Sequence, residues 1–231
     1  MQVDIFGLAM KDYLKGERGN MIRVDTNLTE GEELSVDYLF RNESELPEWE
    51  TIALSLCKGK ILDVGAGAGC HSLILQNKGF DVKAIDIAPV AVQCMKEQGI
   101  NAELQDYFKE EGKYDTLLFL MNGIGMALTI DGLTTVFAQA KKLLKEGGQI
   151  ILESSDIIYM FEEEDGSYVI DLNGAYYGEM EYTLTYKGVQ GEPFPWLYVG
   201  YDLLSDKAEE AGFRLEFLYQ GEEGNYLARL Y

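Results

Sequence analysis

Between Lys60 and Pro89 the chain reads KILDVGAGAGCHSLILQNKGFDVKAIDIAP. A short β-rich run, Lys60–Val64, leads into three alternate glycines, Gly65, Gly67 and Gly69. Cys70–Lys78 then has helical character and stops at Gly79, and Asp81–Asp86 is strand-like and ends in an acid. Glycines placed between a strand and a helix let the backbone turn sharply and approach a ligand closely. Strand, helix and strand in this order pair in parallel through a right-handed crossover, which confines the chain to an α/β architecture.

The rest of the chain keeps the same rhythm. Pro89 is well placed at a helix N-terminus, and that helix stops at Gly99. Ala102–Asp106 is a weaker strand, and Tyr114–Met121 is an apolar run of the kind buried on both faces. Leu133, Val136, Phe137, Ala140, Leu143 and Leu144 fall on one face of a helix that Gly147 ends, and Gln149–Glu153 is another buried strand. Tyr201–Ala211 reads as a helix. The closing RLEFLYQGEEGNYLARLY gives two strands joined by a turn too short for a crossover, so they are antiparallel.

Composition narrows the function. With 19 Lys+Arg against 40 Asp+Glu the net charge is −21, and no run of Lys and Arg forms a basic patch. Nucleic acid and anionic membrane surfaces both call for the opposite sign, so neither is an expected partner. The longest charge-free apolar stretch, Thr116 to Ile130, is too short to span a bilayer. Asp4 stands where a secretory leader would be positive, so no leader is expected. Cys57, Cys70 and Cys94 have no metal-type spacing and read as reduced thiols in a cytoplasm. A single histidine excludes a multi-histidine metal site, and no metal is expected.

The glycine spacing selects between cofactor chemistries. A nicotinamide fingerprint, G-x-G-x-x-G, would need glycine at position 70, which is Cys70. The spacing present is D-V-G-A-G-A-G. Together with Asp63, Asp86, the polar pair Gln105-Asp106 and the antiparallel tail, it resembles the class I S-adenosylmethionine-dependent methyltransferases of small-molecule type. The resemblance covers Lys60 to Ser155 and the C-terminal hairpin, and it does not extend to the N-terminal 40 or so residues or the region after Ser155. It implies a Rossmann-like seven-stranded sheet of order 3-2-1-4-5-7-6 with the last strand antiparallel. It also implies S-adenosyl-L-methionine as cofactor. Asp63 would sit near the ammonium and the backbone from Gly65 through Ala66 and Gly67 to Gly69 along the cofactor. Asp86, followed by Ile87, would bind the ribose hydroxyls, and Gln105, Asp106 and Tyr107 would border the adenine, with Asp106 on its amine. Carboxylates suit these groups because each can donate a hydrogen bond.

Other residues carry two readings. Asn122, in MNGIGMAL, is placed under the cofactor by the resemblance, with Gly123 and Gly125 allowing close approach; the alternative is a glycine-rich connection. The absence of Asn-Pro-Pro-Tyr here argues against nucleobase and amide acceptors. His71 is either a general base or a residue that packs at the helix start. Arg41 either pairs with the cofactor's carboxylate, closing over the site with Tyr38 and Phe40, or has an ordinary surface role. No catalytic residue is assigned beyond the candidates His71 and Asn122.

Aromatic residues are about twice as dense from Asp156 to Tyr201 as in the chain as a whole. Met180, Tyr182, Leu184 and Tyr186 alternate onto one face, GVQGE reads as a turn, and PFPWLYVG as the return strand. An inserted antiparallel hairpin is expected, either walling an acceptor pocket with Tyr176, Tyr177, Tyr182, Tyr186 and Trp196 or forming a homodimer contact through the 156–200 region. The chain is thus expected to be a single methyltransferase domain. It divides into an N-terminal segment (1–44), a cofactor-binding core (45–155), the aromatic insertion (156–200) and a C-terminal helix and strand pair (201–231). The expected function is methyl transfer to a nitrogen, oxygen or sulfur atom of a small molecule. A catalytically silent or regulatory S-adenosylmethionine-binding protein is the alternative.

Overall fold

The computed structural model describes residues 3–163, 165–171 and 174–231; three positions of the aromatic insertion (164, 172 and 173) and the first two residues lie outside them. Among the described residues the helices are α1 Ile5–Leu14, α2 Glu48–Leu56, α3 Cys70–Asn77, α4 Pro89–Glu97, α5 Gly132–Leu143 and α6 Tyr201–Glu210. The strands are β1 Met21–Thr26, β2 Glu32–Ser35, β3 Lys60–Val64, β4 Asp81–Asp86, β5 Ala102–Leu104, β6 Tyr114–Phe119, β7 Leu144–Ser155, β8 Glu179–Tyr186, β9 Val189–Gln190, β10 Phe194–Leu197, β11 Leu215–Gln220 and β12 Asn225–Leu230.

Seven strands form one sheet in the order β5-β4-β3-β6-β7-β12-β11, with β12 antiparallel to both neighbours. Counted along the core this is the expected 3-2-1-4-5-7-6. The sheet is held from both faces. Leu117, Leu118 and Phe119 of β6 have no exposed surface, and α5 buries Leu133, Val136, Phe137, Ala140 and Leu143 against the sheet. Each large apolar side chain so buried contributes about 1.5–3 kcal/mol. Parallel pairing brings the C-terminal ends of β3, β4, β5, β6 and β7 to one edge, where open α/β sheets bind ligands.

The aromatic insertion is not an isolated hairpin. β8 pairs with β10 as expected, but its other edge pairs with β1, and β2 continues the sheet to give the order β10-β8-β1-β2. Val189 and Gln190, expected within a turn, form the short β9 against Thr185 and Tyr186; the chain reverses at Lys187 and Gly188 instead, both at positive φ. The N-terminal segment, which the sequence left without a role, therefore supplies the partner that a two-stranded ribbon needs. Met180, Leu184 and Tyr186 are buried along one face of β8, and Tyr182 on the same face is half-buried.

Asn122 joins the two sheets. Its backbone is left-handed (φ 53°), its Nδ2 donates to the Leu197 carbonyl at 3.1 Å, and its Oδ1 accepts from Ser154 Oγ at 2.9 Å. Trp196 Nε1 donates to the Asn122 carbonyl at 3.2 Å. Gly125 lies directly beneath that indole: a Cβ there would run into Trp196 and come within 2.7 Å of the Leu197 carbonyl. Backbone cannot yield as a side-chain tip does, so Gly125→Ala is expected to destabilise the protein by about 1–3 kcal/mol. Urea denaturation reads this directly, and an unchanged midpoint would show that the joint is loose.

Candidate functional site

The glycine loop follows β3 and is tied to the end of β4. The N–H groups of Gly65 and Ala66 both donate to the Ile85 carbonyl, at 3.0 and 3.1 Å, and Gly67 N–H donates to Asp86 Oδ2 at 2.9 Å. Asp86 Oδ1 accepts from Ala88 N–H at 2.8 Å. Gly65, Gly67 and Gly69 all have positive φ (67°, 55° and 83°), which only glycine adopts without cost. They differ in what surrounds them. A Cβ on Gly69 would meet Ile100 Cδ1 at 2.5 Å, whereas one on Gly65 would meet nothing within 4 Å. Gly69 thus serves helix–sheet packing, and Gly65 borders open space.

Four acids mark the strand ends. Asp63 is buried and accepts from Ser72 Oγ at 2.7 Å. Burial pushes its carboxyl above the usual range, against the pull of His71 and Ser72. Burial also raises Asp86, against the backbone N–H groups it accepts. Glu153, near the end of β7, is raised by burial while accepting Met121 N–H at 2.9 Å and Asn225 Nδ2 at 2.8 Å. Asp106 instead caps a single turn through Phe108 N–H at 3.0 Å and lies 3.3 Å from Lys109.

Around these acids the remaining sequence candidates separate. Ile87 projects beyond Asp86 with 76% of its surface exposed, an apolar side chain at a strand end with no cover. Gln105 lies beside Asp86, its N–H on the Asp86 carbonyl at 3.0 Å, while its side chain donates to Lys109. Tyr107 points the other way: its ring is buried against Phe119 and its hydroxyl donates to the Val136 carbonyl at 3.0 Å. Only its backbone stays next to Asp106.

His71 and Arg41 meet through a residue the sequence reading missed. Glu50 is 1% exposed, accepts from Arg41 Nη2 at 2.8 and 2.9 Å through its two oxygens, and contacts His71 Nε2 at 2.7 Å. Burial opposes a charged imidazole, but Cys70 and Glu50 outweigh it and hold the His71 pKa well above 6.5. His71 is therefore occupied as the partner of a carboxylate. Arg41, itself 6% exposed, lies over the Tyr38 ring with its guanidinium carbon 3.4 Å from the centroid. Its Nε and Nη1 are buried with no hydrogen-bond partner among the described residues. The signal for Glu50 was its spacing. Glu50, Ala53, Leu54 and Cys57 recur at i, i+3, i+4 and i+7, which places the acid on the buried face of α2.

The N-terminal segment covers the loop. Met10, Leu39 and Phe40 pack in one cluster with Ala68, Ala88 and Met121. A cavity of about 770 Å³ opens at the C-terminal end of β7, between the second sheet and the β11–β12 hairpin. Of the five aromatic residues expected to wall a pocket, only Tyr182 lines it, with Trp49, Tyr159, Tyr198 and Tyr219 taking the other positions. Tyr186 belongs to the N-terminal core and Trp196 to the Asn122 joint, while the hydroxyls of Tyr176 and Tyr177 are engaged by Gly200 and Asp156. A second cavity, about 610 Å³, lies at the opposite end of the core strands and is lined by Lys58, Lys141, Lys145 and Arg229.

Comparison with known proteins agrees with this geometry. The model of the methyltransferase domain family matches residues 61–148. A crystal structure of a SAM-dependent methyltransferase from Bacteroides fragilis in complex with S-adenosyl-L-homocysteine is 38% identical, covers 100% of this chain and 97% of its own, and superposes with a TM-score of 0.91. The ubiquinone biosynthesis O-methyltransferase of Xanthomonas oryzae pv. oryzae is 26% identical over 117 residues, 46% of this chain and 47% of that one. A UPF0146 protein of Pyrococcus abyssi is 45% identical over 60 residues, 26% of this chain and 46% of that one. The chain thus spans about half the length of the curated relatives it matches. Near-complete coverage at 38% identity on the same fold places the chain among the S-adenosylmethionine-dependent methyltransferases.

Proposed function

We propose that the chain transfers a methyl group from S-adenosylmethionine to a small-molecule acceptor, with the 1–44, 45–155, 156–200 and 201–231 segments working as one unit. One observation carries the reading. Arg41 is a buried guanidinium with two donor nitrogens unpartnered, fixed by Glu50 beside the first turn of the helix that follows the glycine loop. A carboxylate placed against it completes its hydrogen bonding. Asp63, whose burial disfavours its charge, gains most from a neighbouring ammonium. The cofactor offers both groups at its methionyl end. Asp86 has accepting capacity left for ribose hydroxyls, Ile87 offers an apolar face, and Asp106 lies within reach of an adenine amine. The backbone from Gly65 to Gly69 leaves room along the cofactor, with Gln105 and the backbone of Tyr107 beside Asp106, while the Tyr107 ring and the Asn122 side chain are engaged in the core and in the joint between the sheets. Bound there, S-adenosylmethionine supplies a methyl carbon on a sulfonium that is already a good leaving group. The protein's own tasks are alignment and exclusion of water.

The acceptor is read as small because the N-terminal segment packs over the glycine loop and narrows access to it, and because a net charge of −21 does not suit nucleic acid.

Calorimetry with S-adenosylhomocysteine and NADH tests the cofactor. Only the first is expected to bind, and no binding of it overturns the reading. Asp86 also holds Gly67 and Ala88, so Asp86→Asn, which keeps an accepting oxygen, is a cleaner variant than Asp86→Ala. Hydrogen bonds to a charged group are worth about 1.5–3 kcal/mol, so affinity is expected to fall by roughly tenfold or more. Unchanged affinity removes Asp86 from the site. Release of S-adenosylhomocysteine on addition of small acceptors separates an enzyme from a silent binder.

A further inference from the structure

We propose that the cavity at the end of β7 is a second ligand site, separate from the methyl donor's, and that it takes a small organic cation of the ammonium class. The inference stands on the cavity itself and does not depend on the methyltransferase reading.

Its place in the fold sets it apart. None of the residues assigned to the cofactor lines it. Asn225 does, and its Nδ2 donates to Glu153 Oε1 at 2.8 Å, while Glu153 Oε2 accepts Met121 N–H at 2.9 Å. These side chains form a layer between the cavity and Met121, which packs with Ala68 of the glycine loop. The volume, about 770 Å³, suits a small molecule, since pockets of that kind run to about 300–1,000 Å³.

The lining sorts by charge and depth. Glu32, Glu222 and Glu223 are exposed and stand at the rim, while half-buried Tyr182 and Tyr198 and buried Met180 lie deeper. Among the described residues no Lys, Arg or His lines it, in contrast to the cavity at the other end of the core strands. Carboxylates at a mouth without cations attract a positive ligand and repel a negative one. Acids and rings act on the same space. Burial raises the hydroxyls of Tyr159, Tyr182 and Tyr198 above their ordinary range, and nearby negative charge, which in all three cases includes Glu32, adds to it. The three rings therefore stay neutral. Their faces attract a cation once water is shed, which a neutral ligand does not gain.

Polar groups are left over inside. Asn225 Oδ1 is buried without a partner among the described residues, beside Gly221 of the same lining, and an ammonium N–H is a donor that satisfies it. An anionic or purely apolar ligand leaves it unpaired. The Trp49 indole N–H is also buried and unpartnered, which leaves one donor for an oxygen elsewhere on the ligand.

Calorimetry of the whole protein with three probes of matched shape tests the site: phenethylamine, 2-phenylethanol and 3-phenylpropionate, each with and without saturating S-adenosylhomocysteine. The amine is expected to bind at least about tenfold more tightly than the alcohol, equivalent to about 1.4 kcal/mol, with the acid weakest. Its affinity is expected to be the same in the presence of S-adenosylhomocysteine, because the two occupy different places. Glu32→Gln, Glu222→Gln and Glu223→Gln combined lie on the surface and are expected to remove most of the preference for the amine. Tyr159→Leu keeps apolar bulk, loses the ring, and is expected to weaken the amine several-fold. Displacement of the amine by S-adenosylhomocysteine would mean that it sits in the donor's site, and overturns the proposal. So does binding of the alcohol or acid as tightly as the amine, no binding of the amine, or an unchanged amine affinity in both the combined variant and Tyr159→Leu.

Discussion

Glu50→Ala is expected to cost about 3–5 kcal/mol of stability, the range for removing one partner of a buried ion pair. The carboxylate is 1% exposed and stands between two buried cationic groups, Arg41 and His71, which the substitution leaves facing each other without an anion. Part of the loss depends on pH. The folded pKa of His71 lies well above its unfolded value, so its contribution is complete below about 6.5 and disappears as pH rises through the folded value. The Arg41 part does not titrate. The cost of Glu50→Ala is therefore expected to be largest in mild acid and to shrink, without vanishing, toward alkaline pH. Urea denaturation of both proteins across that range measures it. A cost below about 1 kcal/mol at every pH, the scale of an exposed pair, would mean that water reaches the cluster. Glu50→Gln keeps the volume and separates charge from packing.

The fold was legible where its signals are local. The bounds of β3 and β4 follow from two short β-rich runs and α4 from Pro89 and Gly99; the apolar face located α5, but the helix ends at Leu143 and Leu144 to Gly147, expected within it, already belong to β7. The strand order came from the resemblance, since nothing in a run of apolar residues says which neighbour it pairs with. The second sheet shows the limit. β1 and β8 are aligned from Arg23 with Thr185 to Thr26 with Tyr182, far apart in sequence, and alternation alone cannot reveal that pairing. The aromatic pocket failed for the same reason. Tyr176, Tyr177, Tyr182, Tyr186 and Trp196 are near one another in sequence, whereas the cavity is assembled from β8, α2 and the β11–β12 hairpin. The site divides likewise. Asp63, Asp86 and the glycines follow from one contiguous motif, while the cluster that holds Arg41 needed α2 to be docked before Glu50 could be recognised as a partner.

Gly65→Leu is expected to weaken S-adenosylhomocysteine by about ten- to hundredfold, from the roughly 1–3 kcal/mol that forcing methylenes into filled space costs. The structure makes Gly65 a better probe than its two companions. At Gly69 a side chain collides with Ile100 and Met95, so the fold fails before binding can be read. At Gly67 the nearest atom is Met10 Cε at 3.7 Å, so the N-terminal cover takes part of the effect. At Gly65 nothing stands within 4 Å, and the protein itself loses only the penalty for a side chain at φ 67°, about 1–2 kcal/mol. Gly147 supplies the control. It has nearly the same φ, 71°, and the same open surroundings, and it lies near the start of β7 at the opposite end of the sheet. Gly147→Leu is expected to lose similar stability and no affinity. Calorimetry on the two variants isolates what a ligand feels from what the backbone feels. Equal affinities would mean that the loop after β3 is only a turn, and the reading of the strand ends as a cofactor site would lose its anchor.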